Sequence, residues 1–584
     1  MLYKDNDVAY LRVVSSLQLL RLHPDPCIPL PQPSASLRNV TPVYYQFFKV
    51  ASAMSIQNGP SSPPAAAAEG HLQPRLSRLT MVALTFAILN TWIALAGSIG
   101  LVLPSGGSVS FLYGFIFCVL CNLALAASLG ELAAIWPTAG GQYHFVYALC
   151  TDRWKKIMSF WVGWTNIAGW LTLVTVEGLF AAQFVQAAAV VASNGTYTIE
   201  AWKTYLIFLA VVTFTTGANI WGNRILGRWN DAALYWSLLG VVIISIVLLA
   251  TSEKNDARYV FTEFQNETGW SDGMAWILGL LQSALSLIGF DAALHMTEEM
   301  PSPAIDAPRA ILYAVGVGGV TGLAFILVIL FCITDPETVL STPTNMPITE
   351  LILQGTGSRA AATVLTLMLA VCFINGTNGC ITSSSRLLYS MARDKGIAYH
   401  EYFAHIHPKL NVPIRTILFT FVFNLLFGLL YLGPSVAFSA YSASTTIFLN
   451  VSYAFPVIAL LIRGRGVLTH YRAERQAAHF NLGRFGYALN IVAAIFVVVT
   501  SVFFCFPTGL PVSGDEMNYV VVVIGIFLII VTTYWFVSGH TFEGPKFEAI
   551  IGHAPGDEEE ATTDHIVPSD KTGSDGSDEK RSIP

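Results

Sequence analysis

Asp291 and His295 stand four residues apart in Ser286–His295, a stretch that is otherwise almost wholly apolar, and Glu177 stands alone in another such stretch. On a helix a spacing of four puts two side chains on one face, and Glu298 follows on it three residues later. A carboxylate and an imidazole so placed can hold and pass a proton near neutral pH, or the ring can simply bond the carboxylate. The residues leave both readings open. Glu177 suits proton coupling or a cationic group, and equally a hydrogen bond to a neighbouring helix. An ionisable group within a membrane is costly and marks a function by default, so Asp291, nearest the expected midplane, is read as functional. Glu299 is read as an interfacial group that caps or pairs with arginines, while for Glu298 that reading and a place on a cavity-lining polar stripe both stay open.

The surrounding sequence sets these groups in a membrane. Of 584 residues 54% are hydrophobic and 12% charged, about half the charge of a soluble domain. The net charge of −6 is small and the basic residues form no nucleic-acid-binding patch. A crossing helix needs roughly 20 mainly apolar residues, and lipid admits only helices or closed barrels. Twelve such segments are predicted: 79–103, 109–130, 155–191, 203–221, 232–251, 272–298, 308–333, 360–391, 413–432, 436–462, 485–506 and 517–538. Cys118 and Cys121 form a CxxC inside the second, with no second pair to complete a metal site, so they are read as small apolar residues. No metal and no cofactor are expected.

Two segments five spans apart carry helix-breaking residues. Asn90 and Thr91 fall mid-membrane in the first span, Gly289 and Asp291 in the sixth. Glycine frees the backbone, and Asn or Asp side chains can bond the amides released. Asn375, Thr377, Asn378, Thr382 and Ser383 give the eighth span a polar face that either lines a pathway or holds helices together.

Lys and Arg set the orientation. Arg224, Arg228, Arg309, Arg386, Arg393, Lys395, Lys409, Arg415, Arg463, Arg465, Arg472, Arg475 and Arg484 fall in one set of loops, and chiefly Lys254, Arg258 and Arg359 in the other. The positive-inside rule then places both termini in the cytoplasm. The same assignment puts the sequons at Asn194 and Asn266 outside, where glycosylation is expected. Residues 1–78 and 541–584 read as disordered cytoplasmic tails flanking a transporter-like domain at 79–540: 55–78 is rich in Pro, Ala and Ser, and 553–584 is acidic. Residues 1–53 hold no spanning run, and Met54 begins a more ordinary tail, so 1–53 reads as a gene-model extension.

Three segments together resemble a known family. Gly130–Tyr143, with its Pro-Thr-Ala-Gly-Gly, is similar to the loop after the second helix of amino acid–polyamine–organocation permeases. Phe290–Met300 followed by Ala307–Ala310 is similar to their sixth-helix signature, and Ser385–Gly396 with Val412–Pro413 to the end of their eighth helix. The wording is nearest the fungal amino acid/choline branch, which includes GABA and choline permeases, and the resemblance covers about residues 75–540. It implies an all-α membrane fold of twelve helices, LeuT-like, with two inverted repeats of five plus two C-terminal helices. It also implies that Asn90–Ile93 and Phe290–Asp291 face the substrate, and that Pro-Thr-Ala-Gly-Gly shapes a cytoplasmic loop and gate. Some relatives carry a lysine in the fifth helix; residues 232–251 have none, which leaves the coupling ion open.

The expectation is a secondary transporter of a small amino acid, GABA or choline-like amine, not an enzyme, in the plasma membrane with the vacuolar membrane as the alternative. Its partners are a small-molecule substrate, protons or another coupling ion, and the bilayer. Expected substrate-binding residues are Asn90, Thr91, Trp92, Ile93, Trp170, Gly289, Phe290, Asp291 and Asn375, with Trp92, Trp170 or Phe290 offering a cation–π face. Proton-coupling candidates are Asp291, His295 and Glu177. Export of a fungal secondary metabolite and a non-transporting nutrient sensor are the rival readings.

Overall fold

A computed structural model describes residues 76–222, 224–433, 436–474, 480–514 and 517–547. The extension expected at 1–53 and most of both expected tails lie outside it. Among the described residues the regular elements are all helices. Eleven are long and apolar enough to cross a membrane, and each coincides with a predicted span. The remaining predicted span, 272–298, the sixth in the chain, is present as two short helical pieces.

The first span consists of α1 (Arg78–Leu89) and α2 (Thr91–Gly97). Then come α3 (Gly107–Ile135), the short α4 (Gln142–Leu149), α5 (Lys155–Ala192), α6 (Ala201–Trp221) and α7 (Leu226–Thr251). The sixth span is α8 (Asp272–Leu285) and α9 (Ala292–His295), followed by α10 (Pro303–Cys332) and α11 (Arg359–Arg393). The last four are α12 (Ile414–Gly428), α13 (Val436–Arg463), α14 (Gly486–Phe503) and α15 (Val520–Ser538). With 38 residues α5 is about 57 Å long, well beyond the hydrocarbon core. It packs against α11 at the centre, and both are buried along most of their length. On α15, by contrast, Val521, Ile529, Ile530 and Phe536 are exposed, a face suited to lipid.

Both predicted breaks are present. Asn90 separates α1 from α2 in the left-handed region (φ 44°, ψ 30°), which its short amide side chain tolerates. Between α8 and α9 the helix is unwound over 286–291, with Gly289 at φ 88°. A Cβ there would lie 2.9 Å from Ile88 on α1, so only glycine lets the two breaks approach this closely.

The ends of the bundle differ in charge. At one end Arg78 pairs with Asp306 (2.6 Å), Arg386 with Glu299 (3.0 Å) and Arg393 with Glu298 (2.8 Å). There too the fully buried Glu131 takes both oxygens to Arg465 (2.8 and 2.7 Å) and also meets Arg472 and the Leu482 amide. The sequons lie at the other end. Asn194 is exposed beyond α5, whereas Asn266 is tied into its loop by Nδ2 bonds to Trp270 O (2.8 Å) and Asp272 Oδ1 (3.0 Å).

Candidate functional site

The unwound stretch delivers Asp291 into a shell of donors, where it is fully buried. Tyr453 Oη of α13 donates to Oδ1 (2.5 Å). Oδ2 accepts from Gln142 Nε2 of α4 (2.7 Å) and Trp170 Nε1 of α5 (3.1 Å), and faces His295 Nε2 at 3.0 Å. Tyr453 Oη also accepts the Gly289 amide (3.1 Å), which satisfies one backbone group freed by the break. Asn166 Nδ2, one turn before Trp170, holds Gln142 Oε1 at 2.8 Å.

The hydrogen bonds fix the tautomer of His295. Its Nδ1 lies 2.9 Å from Ala139 O, a carbonyl that can only accept, so Nδ1 carries hydrogen. Nε2 and Asp291 Oδ2 therefore share one proton. On the ring it makes an imidazolium–carboxylate pair; on the carboxyl it makes a neutral pair.

Glu177 sits elsewhere, against the first break. Asn90 Nδ2 donates to Glu177 Oε2 (2.8 Å) and to Cys372 O (3.3 Å), so the break and α5 are bonded directly. A Cβ on Gly376 of α11 would lie 2.3 Å from both Asn90 Nδ2 and Glu177 Oε2. A small cavity of about 10 Å³ opens beside them, walled by Ile88, Ala94, Leu173, Ile288, Phe180 and Phe373 among others. Glu177 is the one ionisable group in its wall. Phe180 and Phe373 stack at 5.1 Å and supply aromatic faces.

The other expected residues are distributed around this centre. Thr91 turns its hydroxyl towards Gly318 of α10, and Trp92 donates from Nε1 to Ser237 of α7 (2.9 Å) with its ring edge-on to Phe325 at 5.0 Å. Both side chains thus point away from the cavity, because α2 starts a new helical phase after Asn90. Ile93 is buried in the core. Trp170 and Phe290 are engaged with Asp291 and with Tyr453 (4.8 Å between rings), whereas Phe180 and Phe373 line the cavity. Asn375 is half-buried on α11 and bonds none of these groups. Gln142, Asn166 and Tyr453 were not expected. They come from three separate elements, and the one available signal was Gln142 itself, a polar residue directly after Gly140-Gly141.

The pattern of the amino acid permease family matches residues 79–528. The chain belongs to that family. It is 33% identical to a choline transporter of Saccharomyces cerevisiae over 494 residues, 82% of this chain and 84% of that protein. The amino-acid permease BAT1 of Arabidopsis thaliana is 28% identical over 495 residues, 81% of this chain and 93% of the other. A swainsonine transporter of Arthroderma benhamiae is 28% identical over 467 residues, 80% of this chain and 91% of that protein. Members of such a family are transporters rather than enzymes, and the chain is a multi-pass membrane protein.

Proposed function

We propose that this permease takes up a small amine or amino acid together with a proton, by alternating access, across the plasma membrane, with its basic end in the cytoplasm. The observation that carries the reading is the separation of two carboxylates. Glu177 lines a cavity at the two helix breaks, and Asp291 is sealed among donors that include His295. Glu177 meets the ammonium group of the substrate, with Phe180 and Phe373 offering cation–π faces. The Thr91 and Trp92 amides meet a carboxylate where the substrate has one. The Asp291–His295 pair holds the coupled proton. Relatives named for choline and for amino acids support this substrate range.

The test is uptake of labelled choline, GABA, polyamines and common amino acids in permease-deficient cells, with and without a protonophore. Uptake of at least one substrate that collapses with the protonophore is expected. Protonophore-insensitive uptake, or none of any substrate by a surface-delivered protein, overturns the reading.

A further inference from the structure

A second histidine–carboxylate pair lies outside this site. His144, in α4, is fully buried, and its Nε2 is 2.6 Å from Oδ2 of Asp394, the residue that caps α11. Its Nδ1 is 2.8 Å from the Thr138 hydroxyl. Nε2 faces a carboxylate and carries hydrogen, so the state of Nδ1 decides the charge of the ring. When Nδ1 is bare, the Thr138 hydroxyl donates to it. When Nδ1 is protonated, the hydroxyl turns and accepts. Both charge states are satisfied by rotation of one O–H.

This pair is joined to the first through one short stretch of chain. Ala139 O takes the Nδ1 hydrogen of His295, and Gln142 bonds Asp291. Between them, a Cβ on Gly140 would lie 2.3 Å from His144 Nε2, and one on Gly141 would lie 3.5 Å from the ring of His295. The two glycines are thus wedged between two imidazoles.

We propose that His144–Asp394 is a second proton-binding site, which receives the coupled proton after the Asp291–His295 pair gives it up and releases it to the cytoplasm. The proton enters on His144 Nδ1 as the Thr138 hydroxyl turns to accept, and leaves Nδ1 for water as the hydroxyl turns back. The bond that breaks to supply it is the one holding the proton shared by His295 Nε2 and Asp291 Oδ2, which leaves that pair as an imidazole and a carboxylate. The proposal rests on the proton-coupled reading above.

The surroundings fit this role. Tyr143 donates to Asp394 Oδ2 (2.9 Å) and lies 2.9 Å from Ser390 Oγ; burial, then the Asp394 charge, pushes its phenol up, so it stays a donor. Arg393 pairs with Glu298 and Lys395 with Glu543, and the Arg393 charge also reaches Asp394, so Asp394 is shared between His144 and a neighbouring cation. Lys155 and Arg463 lie at the far end of α4, on Asp152 and on the Leu149 carbonyl. Phe547 packs edge-on to the His144 ring at 6.1 Å and also lines a pocket at the basic end.

The test uses the full-length protein in proteoliposomes with a substrate from the uptake screen. Exchange at equal pH needs no net proton release, whereas net uptake under an inward proton gradient does. His144→Gln is expected to slow net uptake relative to exchange by on the order of 100-fold, the lower end of what a positioned proton carrier contributes. It is also expected to lose the dependence of net uptake on lumenal pH. Thr138→Val keeps the shape and removes the hydroxyl, so the same dependence is expected to move towards more acidic lumenal pH. An unchanged ratio and pH profile in both variants overturns the proposal, as does an equal loss of exchange and net uptake in both. Wild-type net uptake indifferent to the proton gradient defeats the underlying reading before any variant is compared.

Discussion

Two carboxylates of similar chemistry carry different loads, and that difference decides what their amides will do. Asp291 accepts from Tyr453, Gln142 and Trp170 and shares a proton with His295, so Asp291→Asn sets an NH2 group among donors. Uptake is expected to be lost in protein that still reaches the surface, and any residual uptake should have a flat pH profile. Normal uptake with a normal profile would remove Asp291 from the proton path. Glu177 bonds one side chain, Asn90, and otherwise faces the cavity. Glu177→Gln keeps that bond and removes the charge. The expected result is a KM for cationic substrates raised about 10- to 100-fold, the worth of one charge-assisted bond, with the pH profile kept. Measuring KM and the profile in both variants separates the two roles, and a profile that flattens in Glu177→Gln would exchange them.

At the scale of elements, the two breaks were legible because few residues tolerate the backbone they require: Asn90 takes a left-handed turn, and Gly289 comes against Ile88 where no Cβ fits. The spans were legible from apolar length. The shell of Asp291 was not, since α4, α5 and α13 meet there only through tertiary packing, and nothing near Tyr453 in the sequence signals its target. Trp92 could not be placed for the same reason, as the helical phase after Asn90 sets its direction. Gly376 was equally silent, a glycine inside a long helix whose role appears only with Asn90 and Glu177 against it. Gly376→Ala should raise local helix propensity by up to about 1 kcal/mol, yet uptake is expected to fall because the methyl group collides with that bond. Shortening the acid with an added Glu177→Asp should restore part of the uptake; a Gly376→Ala protein with normal uptake would show the bond to be dispensable.

For the molecule as a whole, the basic end is fastened by buried charge. Glu131 on α3 has no exposure and depends on Arg465 and Arg472, so removing one partner strands an anion. Arg465→Ala is expected to cost about 3–5 kcal/mol, read as a lowered Tm of the purified protein. Replacing the pair together, Glu131→Gln with Arg465→Met, should recover much of that loss; equal damage from the single and double changes would show that the pair does more than neutralise itself. The opposite end carries a different constraint. The Asn266 side-chain amide spends both hydrogens on Trp270 and Asp272, while its oxygen takes the Thr268 amide and hydroxyl, so the acceptor nitrogen of that sequon is withdrawn once the loop has formed. Any sugar transfer at Asn266 is then expected to be a race against local folding during synthesis, whereas the side chain of Asn194 is exposed. Occupancy at Asn266 becomes a clock. Asp272→Ala, which delays closure of the loop, should increase the fraction of chains carrying two glycans on a gel, and treatment with a glycosidase should collapse the bands to one.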